Sequence, residues 1–108
     1  MKSPKPSHRR GEVWWVNLDP TVGTEVRKTR PAVIVSPSDM NAALPRVIIA
    51  PLTSKSHPLG CRPRVTFEKT DGFILLDQLR SVDKQRLVSP LGSIAEELWL
   101  PVLLEMLS

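Results

Sequence analysis

Two short apolar runs, each next to a polar residue, constrain the fold of this 108-residue chain more than any other feature. The first run covers residues 31–35 and follows Arg30, and the second covers residues 48–52 and precedes Thr53. Both runs have the length and the β-branched content of buried strands. If they are strands of one small barrel, the guanidinium of Arg30 and the hydroxyl of Thr53 can meet at one rim. Such a pair of donors suits a phosphodiester.

The remaining pattern is also mostly that of strands. Apolar and polar residues alternate over residues 12–19, which places Trp14 on the more apolar face and Trp15 on the more polar one. Residues 37–45 are predicted to form a turn region, and the Asp71-Gly72 pair indicates a reversal at residues 69–72. The further predicted strands cover residues 32–36, 46–52, 64–68, 72–79 and 86–91.

Only the carboxyl end predicts a substantial helix. Ser93 and Glu96 have the spacing of a capping box, and Pro101 should kink the helix or divide it into two short pieces. One apolar face is predicted from residues that recur at steps of four, namely Ile94, Leu98, Val102 and Met106. About six short strands capped by one helix predict a small barrel of the α+β class.

Length and composition favour a single domain outside the membrane. We expect residues 1–10 to be a basic, disordered tail and residues 11–108 to be the folded domain. No apolar run approaches the roughly 20 residues of a membrane span, and the amino terminus lacks the apolar segment of a secretory signal. Cys61 has no second cysteine to pair with, which fits a cytoplasmic location.

The positive charge is concentrated in one part of the chain. The net charge is +4, yet from Gly11 onward basic and acidic residues are equal in number, at 11 each. Residues 22–65 nevertheless hold seven basic residues and only two acidic ones. This segment contains Arg30 and Thr53, so the charge could serve a nucleic acid, although a solvated face explains it as well.

The sequence lacks the motifs of metal and nucleotide chemistry. It contains no close-spaced pair of Cys or His residues, no glycine-rich phosphate loop and no compact acidic cluster. We therefore expect no metal and no cofactor. A metal-free route to RNA cleavage remains, in which the 2′-hydroxyl attacks its own phosphorus and arginine stabilises the developing charge. Glu25 or Asp77 could accept the proton if burial raises its pKa. Each of these residues also has an ordinary structural explanation.

Four runs of sequence together resemble the MazF/PemK (Kid-type) toxin family. They cover residues 10–25, 30–35, 51–54 and 76–87, in the order that the family has. The resemblance implies an SH3-like, PemK-type barrel that forms a homodimer. It implies sequence-specific, metal-independent cleavage of single-stranded RNA, with mRNA as the expected target and inhibition of translation as the result. It also implies a MazE-like antitoxin as partner.

Residue by residue, the resemblance gives catalytic roles to Arg30, Thr53 and Glu25. Thr24 and Leu75 stand where the Kid-type branch has histidine and arginine, so the Arg30 and Thr53 arrangement is the preferred interpretation. The expected RNA contacts are Trp15, Arg27, Lys28, Ser54, Asp77 and Gln78. For Trp15, core packing is the alternative to stacking on a base. For the whole chain, the alternative is a non-catalytic barrel that binds single-stranded RNA or a peptide.

Overall fold

The structure is a computed structural model that describes residues 8–18 and 29–108. Within these ranges the chain forms seven strands, two α-helices and three single turns of 3₁₀ helix. The strands are β1 (Glu12–Asn17), β2 (Thr29–Ile34), β3 (Arg46–Thr53), β4 (Arg64–Phe67), β5 (Thr70–Ile74), β6 (Arg80–Asp83) and β7 (Leu87–Ser93). The α-helices are α1 (Ser38–Ala43) and α2 (Leu100–Met106), and the 3₁₀ turns are Leu76–Gln78, Lys84–Arg86 and Glu96–Leu98.

The strands form one antiparallel, strongly curved sheet. The order is β4-β5-β3-β2-β1-β7, and β6 also pairs with β3. Strand β3 organises this curvature because one of its edges serves two strands: β6 pairs with its first half and β5 with its last two residues. With α2 against the sheet, the architecture confirms the predicted small α+β barrel with a carboxyl-terminal helix.

Both faces of the central strands are buried, which explains the continuous apolar runs. Val13 and Val33 belong to one core cluster, which also contains Trp99 from the carboxyl-terminal segment. Trp14, Val16 and their neighbours on β2 belong to a second cluster, which contains Val82 of β6 and Leu87 of β7. Neighbouring residues of one strand thus belong to different clusters on its two faces. Because neither face meets water, apolar and polar residues do not have to alternate along the strand.

The predicted reversal at residues 69–72 is wrong in position. Phe67 pairs directly with Thr70, so the hairpin loop between β4 and β5 is Glu68-Lys69. Both loop residues have positive φ values, of 52° and 66°, as a type I′ turn requires. Asp71 and Gly72 instead lie within β5. The strand predicted at 72–79 is correspondingly divided into the end of β5, a 3₁₀ turn and a loop before β6.

The helical predictions are partly confirmed. Pro101 lies in the first turn of α2, where a missing backbone N–H is tolerated, and the segment does form two short pieces. The capping box is wrong, because Ser93 ends β7 and no side chain caps either piece. The apolar face is confirmed for Ile94, which is buried, and for Val102, which packs against the core, but Leu98 and Met106 are exposed. Trp99 and Leu103 are buried in their place.

Helix α1 replaces the turn region predicted for residues 37–45. Its buried Asn41 accepts a hydrogen bond from the hydroxyl of Ser36 and donates to the backbone oxygen of His8. The hydroxyl of Ser36 in turn accepts from the backbone N–H of Ile48 in β3. From the predicted tail, Arg10 donates through Nε to the backbone oxygen of Val35. None of the helices within residues 8–18 and 29–108 is long and apolar enough to cross a membrane.

Candidate active site

Arg30 lies near the start of β2 at one end of the sheet. It pairs with Val16 of β1, and its side chain is half-buried. On its other side β2 pairs with β3 through Ala32 opposite Pro51. Extending this register by two residues in each strand brings Arg30 opposite Thr53. Among the described residues the Arg30 side chain has no hydrogen bond and no ion pair, so its donors are available to a ligand.

Thr53 is the last residue of β3 and already makes local hydrogen bonds. Its hydroxyl donates to the backbone oxygen of Lys55 over 3.1 Å and accepts from the backbone N–H of Lys55 over 3.2 Å. This is the turn geometry typical of a threonine after a strand. The hydroxyl retains one lone pair that can accept a further hydrogen bond. It can donate to a phosphate oxygen only if it releases the backbone oxygen of Lys55.

Gly72 fixes the backbone of Thr53 from the opposite strand. A Cβ atom on Gly72 would lie 2.7 Å from the backbone oxygen of Thr53, closer than real Cβ contacts. The absence of a side chain therefore allows β5 to approach the end of β3. The glycine that the sequence suggested as a turn signal has a packing role beside Thr53 instead.

Two open cavities meet at Arg30 and Thr53. The hairpin cavity, of about 360 Å³, is lined by Arg30, Pro31, Leu52, Thr53, Ser54, Val65, Phe67, Glu68, Thr70, Asp71 and Gly72. The loop cavity, of about 650 Å³, is lined by Arg30, Thr53, Lys55, Ser56, His57, Arg62, Leu75 and Gln78. A ligand group bound between Arg30 and Thr53 would thus have space on both sides. This convergence is the one predicted from the two apolar runs.

Asp77 holds Arg62 at the wall of the loop cavity. Its two carboxylate oxygens accept from Nε and from an Nη atom of Arg62, each over 2.9 Å, and Arg62 also donates to the hydroxyl of Ser56 over 2.8 Å. The hydrogen bonds from Arg62 lower the pKa of Asp77. The condition under which Asp77 could accept a proton, a pKa raised by burial, is therefore not met, and its carboxylate is engaged by Arg62.

The other predicted RNA contacts are distributed around this rim. Ser54 lines the hairpin cavity and Gln78 lines the loop cavity. Trp15 is 38% exposed, so it is not a core residue, and it lies opposite Pro31, which lines the hairpin cavity. Trp14 is buried as expected.

Three predicted residues, Glu25, Arg27 and Lys28, lie outside the described residues. Conversely, Arg62 was not among the predicted site residues, and neither were Glu68 and Asp71 of the β4–β5 hairpin. A carboxylate and an arginine 15 positions apart carry no local signal of pairing. His57 also lines the loop cavity. Over residues 8–18 and 29–108, no group of three or more His, Cys, Asp or Glu side chains could hold a metal ion.

Comparison with known proteins gives consistent results. A family model described as the PemK-like, MazF-like toxin of type II toxin–antitoxin systems matches residues 9–105. The endoribonuclease MazF9 of Mycobacterium tuberculosis is 35% identical over 97 aligned residues, which cover 81% of this chain and 82% of the relative.

Solved structures share the fold over nearly the whole chain. MazF from Deinococcus radiodurans superposes with a TM-score of 0.79 at 24% identity, covering 95% of this chain and 98% of the other. A MazE–MazF structure from the same organism gives a TM-score of 0.76 at 25% identity, covering 95% and 97% of the two chains.

Proposed function

Because this chain belongs to the family of PemK-like, MazF-like toxins of type II toxin–antitoxin systems, we propose that it is an endoribonuclease. Its proposed substrate is single-stranded RNA, cleaved at a short sequence without a metal ion. Cleavage of mRNA would stop translation, and the cytoplasm is where we expect the protein to act.

The proposed reaction uses the 2′-hydroxyl of the substrate as the nucleophile. The 2′-oxygen bonds to the adjacent phosphorus as the bond from phosphorus to the 5′-oxygen breaks. The proton of the 2′-hydroxyl goes to a base on the protein, and the departing 5′-oxygen takes up a proton. The products are a 2′,3′-cyclic phosphate and a 5′-hydroxyl, and no covalent enzyme intermediate is needed.

In this mechanism Arg30 stabilises the negative charge on the phosphoryl oxygens, since its planar guanidinium can contact two of them. Thr53 supplies one further hydrogen bond after its hydroxyl releases Lys55. Glu25 is the proposed proton acceptor, because Asp77 is occupied by Arg62 and its pKa is lowered. Arg62, held by Asp77, adds a second positive charge beside the loop cavity.

The observation that carries the proposal is the position of Arg30 and Thr53 between the two cavities. A phosphodiester at this point would leave room for the nucleotide on either side. Arg30, with no partner among the described residues, has guanidinium N–H groups to offer the phosphate. Trp15 could stack on a base next to Pro31, which would contribute roughly 1–3 kcal/mol. Ser54, Gln78, Arg27 and Lys28 are proposed to contact the RNA backbone, an interaction that weakens as salt increases.

The proposed partners are an antitoxin and a second copy of the chain. A MazE–MazF complex is known for the Deinococcus radiodurans protein, and we propose that a MazE-like antitoxin likewise neutralises this one. We propose that an acidic segment of this antitoxin occupies the basic rim and excludes RNA. The proposed homodimer can be checked by the mass of the purified protein in light scattering.

The decisive experiment is incubation of the purified protein with a long RNA in EDTA, followed by analysis of the RNA ends. We expect discrete cuts with 5′-hydroxyl ends. The Arg30→Ala variant should cleave about 10²–10³-fold more slowly, which is the typical effect of losing one donor to a transition-state oxyanion. The matched control is Arg46→Ala, which removes an exposed arginine at the other end of β3 and should cleave at the wild-type rate.

Two results would contradict the proposal. Intact RNA that migrates more slowly with the protein would support the non-catalytic binding barrel. Equal losses in the Arg30 and Arg46 variants would show that general positive charge, and not the position of Arg30, matters for cleavage.

A further inference from the structure

The two cavities on either side of Arg30 and Thr53 differ in charge. The loop cavity is lined by Lys55 and by Arg62, whose charge is partly offset by Asp77, and this basic lining suits the phosphates of an RNA strand. The hairpin cavity, which Arg30 also lines, carries the carboxylates of Glu68 and Asp71 on the wall formed by the β4–β5 hairpin. A phosphate group would be repelled by that wall. The hairpin cavity is therefore suited to a part of the RNA that bears no charge.

One part of the wall of the hairpin cavity is apolar. Leu52 and Val65 belong to the main core cluster, and Phe67 packs against it. The volume of about 360 Å³ is within the range of pockets for small planar ligands. Apolar walls with a few polar groups at the edge are the usual surroundings of a bound ring. A nucleobase meets these conditions, because its faces are apolar and its edge carries hydrogen-bonding groups.

The carboxylates of this cavity are free to accept hydrogen bonds from a ligand. One oxygen of Asp71 accepts from the hydroxyl of Thr66 over 2.7 Å, which orients the group and leaves its other oxygen open. Glu68 lies in the exposed two-residue turn between β4 and β5. Within the part of the chain that the structure describes, no basic side chain forms an ion pair with either one. Ionised carboxylates only accept hydrogen bonds, so they select for donors.

We infer that the hairpin cavity binds the base next to the cleaved phosphate and selects bases that carry an amino group. This inference rests on the proposed function and specifies its substrate. Guanine should bind best, since its Watson–Crick edge presents two adjacent N–H donors. Uracil should bind worst, because it has a single N–H between two carbonyl oxygens that would face the carboxylates. The contacts available predict discrimination of about 10- to 100-fold.

The experiment uses the full chain and a single-stranded RNA library with randomised positions. Cleaved molecules are captured by their 5′-hydroxyl ends and sequenced. For the wild type we expect one position next to the cut from which uracil is depleted. The double variant Glu68→Gln, Asp71→Asn should increase relative cleavage of uracil at that position at least 10-fold, since amides can donate to its carbonyl oxygens. Preferences at other positions should not change.

The matched control is the double variant Glu96→Gln, Glu97→Gln, which removes two carboxylates that lie in the 3₁₀ turn before α2 and do not line the hairpin cavity. It should keep the wild-type preferences. Melting temperatures close to that of the wild type would show that both double variants keep the fold. A wild type that cuts no RNA overturns the proposed function itself. A wild type that cuts RNA, with base preferences that both double variants leave unchanged, overturns only the inference about the hairpin cavity.

Discussion

Replacing Gly72 by alanine tests whether the backbone position of Thr53 matters for cleavage. The added Cβ would meet the backbone oxygen of Thr53 at 2.7 Å. To lengthen this Cβ-to-oxygen distance to 3.0 Å, β3 and β5 must separate by about 0.3 Å. To reach the ordinary contact distance of 3.4 Å, they must separate by about 0.7 Å. The nearest atoms are backbone atoms, so no side-chain rotation can relieve the contact.

The expected effect on the rate follows from this displacement. A misplacement of 1 Å can lower a rate about 10²-fold. If the loss grows exponentially with displacement, a shift of about 0.3–0.7 Å lowers the rate about 4- to 25-fold. Stability should fall by about 0.5–2.5 kcal/mol, because overpacking costs about 1–3 kcal/mol and the lower entropy of the unfolded chain offsets part of it.

Single-turnover cleavage of a fixed RNA measures the rate, and urea denaturation measures the free energy of unfolding. The control is Gly60→Ala, since a Cβ at Gly60 would have no atom within 4 Å. It should leave the rate unchanged and raise the free energy of unfolding by about 0.4–1 kcal/mol, because alanine lowers the entropy of the unfolded chain. A folded Gly72→Ala protein with the wild-type rate would refute the reasoning, as would an equal loss of rate in Gly60→Ala.

Three further predictions concern stability. Trp99→Ala should cost about 3–5 kcal/mol, measured by urea denaturation. Trp99→Phe should cost much less, because the buried indole N–H has no partner among the described residues and its removal recovers about 1–3 kcal/mol. Arg62 lowers the pKa of Asp77, so the ionised carboxylate stabilises the folded protein above the ordinary carboxyl pKa of 3.8, and this stabilisation is lost as the pH falls below 3.8. Asp77→Asn should therefore be less stable than the wild type near neutral pH, and the two proteins should become similar in stability only under acidic conditions. Burial beside Trp14 lowers the pKa of His8 from its ordinary value of 6.5, so the free energy of unfolding should fall as the pH decreases below 6.5. Denaturation curves at pH 7.5 and 5.5 measure this difference, and His8→Gln should remove it.

The strands that carry the candidate site could be predicted because their signal is local. The apolar runs around Val33 and Ile49 are buried on both faces, and such strands appear in the sequence as unbroken apolar segments. Arg30 and Thr53 stand at the ends of these runs, so antiparallel pairing was enough to predict that they converge. The two short pieces at Pro101 also followed from a local property, since proline cannot occupy a helix interior.

Other features depended on contacts between distant parts of the chain. The Asp71-Gly72 pair has the composition of a turn, yet the hairpin turns at Glu68-Lys69 because the pairing of Phe67 with Thr70 sets the register. Helix α1 is held in part by Asn41, which donates a hydrogen bond to the backbone of His8, 33 positions away in the chain. The apolar residues of α2 that become buried were likewise decided by which side of the helix meets the sheet.

The sequence by itself determined the family, the sheet-rich α+β architecture and the convergence of Arg30 with Thr53. All of these depend on residues close together in sequence, or on motifs that appear in a fixed order. Only the tertiary structure decided that Asp77 pairs with Arg62, that Gly72 makes room for Thr53, and that one cavity is lined by basic side chains whereas the other is bordered by carboxylates. Each of these depends on the distance between side chains or strands far apart in sequence, and that distance is set by strand register and curvature.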